Sequence, residues 1–306
     1  MHLPAQTVLF WATLTTALLD KPALWKDLSK FTQPLADGLP RQGQVISAWP
    51  SGTLSKLCWD NIVRDKLDPG TFQTYSVSFN DCSQAWTFCY QIGSYQSIDE
   101  FASIFSQAPV RMRMWVSDVS LYKDGGGGYQ FGTTITLKGT PMADTMIHES
   151  EHACEYAWAF KSMGSATTEW LSAYAADSAV QSEYGRNNQI ENLAQTPGMI
   201  IYDRLTNGKL GQEPDLWKIG NALNTFVDQA DNSKYGGRML DIDGVYCTRR
   251  YVPSAKVKTD GTSVSTAQSL FIESLQTSRG IGIAAEDIIM EAIPPLTQSA
   301  PTNCTF

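Results

Sequence analysis

The sequence predicts an α+β fold, a mostly helical domain with a small β-sheet before a helix that carries His148-Glu149-Ser150-Glu151-His152. Strand-like alternation of apolar and polar residues is confined to the first half of the chain, and helical periodicity dominates the second half. Short strands followed by many helices are typical of this fold class. A hydrophobic content of 42% and a charged content of 18% fit a globular protein with a substantial core.

The N-terminal region has two interpretations. Thr7 to Leu19 carries no charge, and Thr15-Thr16-Ala17 offers small residues for cleavage, so residues 1–20 are expected to be a signal peptide. No Lys or Arg precedes this segment, which leaves an N-terminal amphipathic helix as the alternative. Residues 21–306 are then expected to form a single domain.

That domain is expected to have three parts: a cysteine-containing lobe at about 45–95, a catalytic core at about 96–200, and a helical part at 201–306. In the first, a short helix surrounds Cys58, and Thr74 to Phe79 alternates as a strand does. Asp81 to Cys89 is expected to be a compact loop. Residues 1–45 are otherwise expected to be largely helical.

The core begins with a helix capped by Ser97 and ending near Ser106. The other elements expected in it are strands at Val110–Val116 and Phe131–Leu137, a flexible Gly125–Gly128 loop, and helices at about 141–160, Thr168–Ser182 and around Ile190–Ala194.

His148 and His152 point to a metal site. Residues four apart on a helix lie about 40° apart in projection, so both imidazoles reach one ion. Glu149 lies on the same side of the helix and is placed to take a proton from water at a metal. The chain has three histidines, and two of them form this pattern. One Zn²⁺ ion is therefore the expected cofactor, with Glu149 as general base.

A catalytic zinc needs a third protein ligand and one open position. His2 is the one other histidine, and position 158, where metzincins place a third His, is Trp158. The third ligand is therefore expected to be a carboxylate or a cysteine. Glu191 is favoured because Asn187 or Asn188 starts a helix that presents it in the first turn, with Asp177 and Glu169 as alternatives.

Three further residues near the site carry hypotheses. Glu155 is expected to hydrogen-bond a ligand histidine from behind. Tyr184, seven residues before Glu191, is a candidate donor to an oxyanion, although a half-buried structural tyrosine explains it equally well. Glu151 stands where many such enzymes have a small residue, and it is expected to add negative charge near the site.

These motifs carry a resemblance. His-Glu-x-x-His followed by Tyr184 and Glu191-x-Leu193-Ala194-Gln195 resembles gluzincin-type zinc peptidases, and the last segment is similar to the third-ligand helix of the anthrax lethal factor catalytic domain. Over about 45–200 the chain looks like fungal secreted conidiation-specific proteins, through Trp49-Pro50-Ser51-Gly52, Asp81 to Cys89 and Trp170 to Gln195. The resemblance implies a zincin-like fold, His148, His152 and Glu191 as ligands, Glu149 as base and Tyr184 as helper.

Six cysteines and an Asn303-Cys304-Thr305 sequon favour an oxidising, extracellular location. We expect two of Cys58, Cys82 and Cys89 to pair, and Cys247 to pair with Cys304. Cys154, on the metal-site helix, is not expected to be a ligand, but it is placed to join that helix to another segment.

The predicted activity is that of a secreted, zinc-dependent metallopeptidase acting on a peptide or protein substrate. Gln130 to Leu137 is the candidate strand edge for binding that peptide. The alternative is a non-catalytic secreted or spore-surface protein that retains the zinc site. A net charge of −8 disfavours nucleic acid, no apolar run is long enough to cross a membrane, and a monomer is expected.

Overall fold

The computed structural model describes residues 18–251, 254–264 and the backbone of 302–304. Residues 1–17 lie outside this part, and the expected signal peptide lies almost wholly within them. No helix among the described residues is long and apolar enough to cross a membrane.

A seven-stranded mixed sheet forms the centre of the fold, which makes it larger than the small sheet expected. Its strands, in spatial order, are β11 (Thr302–Cys304), β7 (Gly128–Phe131), β8 (Thr134–Lys138), β6 (Asp118–Tyr122), β5 (Trp86–Gln91), β4 (Phe72–Phe79) and β2 (Gln44–Ala48). The three central strands β5, β6 and β8 run parallel, and every other pairing is antiparallel.

Two short strand pairs lie outside this sheet. β1 (Ala23–Trp25) pairs in parallel with β9 (Val180–Ser182), and β3 (Thr53–Ser55) pairs antiparallel with β10 (Lys256–Lys258). The first pair joins the N-terminal segment to the chain that leads into Tyr184.

The helices pack mainly around one central helix, α5. The described helices are α1 (Ser29–Gly38), α2 (Lys56–Arg64), α3 (Ile98–Phe105), α4 (Val110–Arg113), α5 (Ala143–Tyr156), α6 (Thr168–Ala176), α7 (Gln189–Ala194), α8 (Thr196–Leu205) and α9 (Gly220–Asp231). Helices α1, α3, α4, α7 and α8 and strands β7 and β8 all contact α5. Every residue from Met146 to Cys154 is consequently buried, so the histidine motif sits inside the protein.

Several expected elements are confirmed. Ser97 caps α3 by accepting a hydrogen bond from the Glu100 N–H at 3.1 Å. The helix around Cys58 and the strand ending at Phe79 are also present.

Other assignments were wrong. Val110–Val116 begins as the short helix α4. The expected alternation fails at Arg113, which is fully buried and bound to Asp81 and the Ala108 carbonyl. The helix from Thr168 ends at Ala176 rather than Ser182, and the expected strand Phe131–Leu137 is divided by a turn between β7 and β8. Trp86 to Cys89 belongs to strand β5 rather than to a loop. Of the helical part expected at 201–306, the end of α8 and all of α9 are present, whereas the described residues from 232 to 264 are irregular or extended.

The disulfides confirm one pairing and correct another. Cys58 bonds Cys89, as expected for two of the first three cysteines. Cys247 bonds Cys82 rather than Cys304, because the chain around Cys247 runs beside Asp81, whose carbonyl accepts the Cys247 N–H at 2.9 Å. Cys154 is a buried thiol that forms no disulfide with the described residues; its Sγ donates to the Met112 carbonyl at 3.6 Å.

Candidate metal centre

The two motif histidines lie side by side on α5. Their Nε2 atoms are 3.1 Å apart, and the two rings are nearly perpendicular. Both side chains are buried, with 5% of His148 and 3% of His152 exposed. Burial lowers the pKa of His148, against the opposing hydrogen bond to Glu191, so the neutral imidazole that binds metals is favoured at neutral pH.

Helix α7 brings Glu191 to this pair. Its Oε2 lies 3.1 Å from Nε2 of His148 and 3.5 Å from Nε2 of His152. Burial alone would raise the pKa of the Glu191 carboxyl, but hydrogen bonds and charge interactions with the two histidines hold that pKa well below its usual range. The group is therefore ionised, as a ligand must be.

The start of α7 fixes the position of Glu191. The Asn188 side chain accepts the Glu191 N–H at 2.9 Å, which caps the helix and places Glu191 in its first turn, as the sequence predicted. The chain before the cap is held by Gln181, whose amide donates to the Asn192 carbonyl at 3.0 Å. Ser182 donates to the Gln195 side chain at 2.5 Å, so the Tyr184 segment and α7 are tied together.

The three donor atoms of His148, His152 and Glu191 have spacings close to those expected around one zinc ion. With bonds of about 2.0–2.2 Å to N and O, two ligands at a tetrahedral angle lie about 3.3–3.5 Å apart. The observed sides of the triangle are 3.1, 3.1 and 3.5 Å, within about 0.2 Å of that range. Two imidazole nitrogens and one carboxylate oxygen are also ligands that zinc commonly uses in catalytic sites. Among the described residues, these three could therefore hold one zinc ion.

Two further candidate residues are Glu149, which follows His148 on α5, and Tyr184, whose ring lies near that of His148. Glu149 is fully buried, and a β-carbon built on Gly128 would lie 2.8 Å from its Oε1, so the β7 backbone passes close to the carboxylate. This contact requires a residue without a side chain at position 128. The Tyr184 ring is half-buried, with its centroid 5.9 Å from that of His148.

The alternative carboxylates lie elsewhere. Asp177 accepts the Asn221 N–H at 2.8 Å and the Ala222 N–H at 2.9 Å, so it caps the start of α9. Glu169 is exposed in the first turn of α6. Among the described residues, neither one belongs to the cluster of His148, His152 and Glu191.

Glu151 and Glu155, also on α5, have carboxylate groups near His152. Glu155 accepts the Ser165 N–H at 2.6 Å and so anchors the following loop, a contact that the sequence did not reveal. Glu151 has an oxygen 3.9 Å from Nδ1 of His152 and is fully buried. Burial, followed by the neighbouring Glu155, raises the pKa of Glu151 well above its usual value. Burial at this position therefore opposes the negative charge that the sequence led us to expect.

The sequence did not reveal the residues that pack around the site and have no candidate catalytic or ligand role. Phe31 and Leu35 of α1 line a cavity beside His148, and the Thr32 hydroxyl donates to Asp144 in the first turn of α5. No motif marks them, because their positions follow from how α1 packs on α5 and α8. A glycine run did mark Gly128, but its contact with Glu149 was not predictable.

Comparison with known proteins agrees with the resemblance to conidiation-specific proteins seen in the sequence. The sequence model of a family described as "Conidiation-specific protein Con-13" matches residues 33–267. "Conidiation-specific protein 13" of Neurospora crassa is 30% identical over 211 residues, which cover 64% of this chain and 60% of the relative. The match thus spans about three fifths of that relative's length. No solved structure matches the chain.

Proposed function

The chain belongs to the family of conidiation-specific protein Con-13, and we propose that it is a secreted zinc metalloendopeptidase of the gluzincin type. The observation that carries the proposal is the buried triangle of His148, His152 and Glu191, whose side lengths suit one tetrahedral zinc ion. Structural zinc is usually held by four protein ligands, whereas the cluster among the described residues has three, as catalytic sites do. Glu149, on the same helix, adds a carboxylate that can act as a base.

The proposed chemistry divides between the ion and the chain. Zinc supplies Lewis acidity, which polarises a carbonyl and makes water acidic enough to ionise near neutral pH. Glu149 accepts the proton of the attacking water and passes it to the amine that leaves. The Tyr184 hydroxyl donates a hydrogen bond to the oxygen that becomes negative during the reaction.

The extracellular location and the link to spore formation are proposed from two observations. Two disulfides, Cys58–Cys89 and Cys82–Cys247, fit an oxidising compartment outside the cytoplasm. The name of the Neurospora relative associates that protein with conidiation. We therefore expect this chain to act on peptide or protein substrates outside the cell during spore formation.

The test combines metal analysis with one substitution. Purified protein should hold one zinc per chain, and Glu149→Gln should keep the zinc while losing about 10²–10⁴-fold in the rate of cleaving an unfolded protein substrate. Glu169→Gln, an exposed change of the same type, is the matched control and should behave as wild type. Mass spectrometry of the products gives the cleavage sites.

The outcomes separate the proposal from its alternative. Bound zinc without cleavage that depends on Glu149 would indicate a non-catalytic secreted or spore-surface protein that retains a zinc site. Protein without zinc, after exposure to it in the folded state, would contradict both.

A further inference from the structure

An apolar cavity of about 50 Å³ lies beside the first histidine of the metal centre. Most of its lining comes from three helices that pack on one another, and Ala194 at the end of α7 adds to it. Helix α1 supplies Phe31 and Leu35, α5 supplies Ile147 and His148, and α8 supplies Gly198 and Met199. Resting on the proposed peptidase function, we infer that this cavity binds an aliphatic side chain of the substrate, on a residue flanking the cleaved bond.

Position supports this inference. His148 belongs both to the cavity wall and to the ligand triangle, so a side chain in the cavity lies next to the metal position. The cavity is partly open rather than sealed, and Leu28 and Gly198 at its boundary are half-buried. A peptide bound at the metal thus has a short path for one side chain into the cavity.

The lining selects against charge. Phe31, Leu35, Ile147 and Met199 are buried apolar residues, and among the described residues no Lys or Arg lines the cavity. Asp144, the acidic residue of the described lining, accepts hydrogen bonds from the Thr32 hydroxyl and from the Thr145 N–H, the latter at 2.7 Å. An acidic substrate side chain would meet this carboxylate, and a basic one would have to be desolvated among apolar groups.

The volume limits size. An engineered cavity of about 150 Å³ accommodates benzene, so a space of about 50 Å³ suits a branched aliphatic side chain better than an aromatic ring. We expect leucine or valine to be preferred over glycine by at least about tenfold, since a single methylene in a hydrophobic pocket already gives about 10–200-fold. Phenylalanine should be disfavoured.

Gly198 gives a way to fill the cavity without disturbing the backbone. A β-carbon there would lie 3.9 Å from Cδ1 of Leu35, which is ordinary contact distance. A longer side chain at this position then extends toward Leu35, into the cavity. Met199→Ala does the opposite, because it removes side-chain volume from the wall.

The first measurement is a cleavage profile on a peptide library that varies the residues flanking the cleaved bond. Wild type should prefer leucine or valine on one side, Gly198→Leu should lose that preference, and Met199→Ala should shift it toward phenylalanine. Gly211→Leu, an equally large change at an exposed glycine in open space, is the matched control and should keep the wild-type profile. Thermal unfolding verifies that each variant is folded.

The second measurement needs neither zinc nor cleavage. In metal-free protein labelled at methionine methyl groups, N-acetyl-leucine amide should shift the Met199 signal, whereas the glycine and phenylalanine derivatives should not. Gly198→Leu should abolish the shift.

The two measurements distinguish the two proposals. A shift of the Met199 signal without any peptide cleavage would support binding of an aliphatic group in the cavity and would contradict the proposed peptidase function. Cleavage with no aliphatic preference, or a preference that survives Gly198→Leu, would overturn the cavity assignment and leave the peptidase standing.

Discussion

At the residue scale, the metal centre depends on the asparagine that begins α7. The Asn188 side chain binds the Glu191 N–H, and this directs the first turn of the helix toward the histidines. The spacing of His148 and His152 predicted their pairing, because helical geometry is local. The choice among Glu191, Asp177 and Glu169 was not decidable from local spacing, since it depends on which helix packs against α5.

Replacing Glu191 tests the third ligand directly. Glu191→Ala should lower zinc affinity by more than about 100-fold, because losing a ligand costs more than the 10–100-fold typical of losing a residue behind one. Zinc affinity is measured by competition with a chelating dye. Glu169→Ala serves as the control, and equal losses in both variants would contradict the assignment.

Asp177 should behave as a helix cap and not as a ligand. Asp177→Ala removes the acceptor for the Asn221 and Ala222 N–H groups and should lower the free energy of unfolding by about 0.5–2 kcal/mol. The zinc content should stay at the wild-type value. Denaturant unfolding and metal analysis of the same sample test both points, and loss of zinc from folded protein would refute the cap-only role.

At the scale of elements, amphipathic patterns were reliable where one face of an element meets water. Helix α3 and strand β4 have such faces, and both were predicted. Helix α4 was mistaken for a strand because Met112, Arg113 and Met114 are all buried, which removes the periodicity that distinguishes the two structures.

Cysteine pairing was only partly predictable because one of the two disulfides joins residues that are far apart in the sequence. Cys58 and Cys89 lie 31 residues apart in the same lobe, whereas Cys82 and Cys247 are 165 apart and meet through tertiary packing. Count and spacing leave such long-range pairs undetermined.

The long-range disulfide should be a major source of stability. Replacing Cys82 and Cys247 by serine together should lower the free energy of unfolding by about 2–5 kcal/mol, since the bond closes a long loop of the unfolded chain. Zinc affinity should change little, because both residues lie outside the ligand cluster. Cys154→Ser is the comparison for replacing a buried cysteine that is not in a disulfide, and a stability equal to wild type in the double variant would disprove the role.

At the scale of the whole molecule, the proposed function makes the strands beside α5 the expected place for a peptide to approach the candidate metal centre. The sequence placed the peptide-binding edge at Gln130 to Leu137. In the structure Thr134 to Leu137 lies in β8, an interior strand, and Gly128–Phe131 of β7 lies nearest the edge. The other side of β7 pairs antiparallel with β11, and Cys304 stands opposite Gly128, the residue that contacts Glu149.

Strand β11 therefore occupies the position beside β7 that an extended substrate would take by strand addition. Removing residues 302–306 should expose this edge and raise the affinity for an extended peptide by about tenfold or more, because a tethered competitor acts at an effective concentration near millimolar. The measurement is fluorescence anisotropy of a labelled peptide on the Glu149→Gln protein, which avoids cleavage. A synthetic peptide of residues 300–306 should compete with the label on the truncated protein, and a peptide of the same composition in shuffled order is the control. Equal peptide affinity in full-length and truncated protein would show that substrates bind elsewhere than at β7.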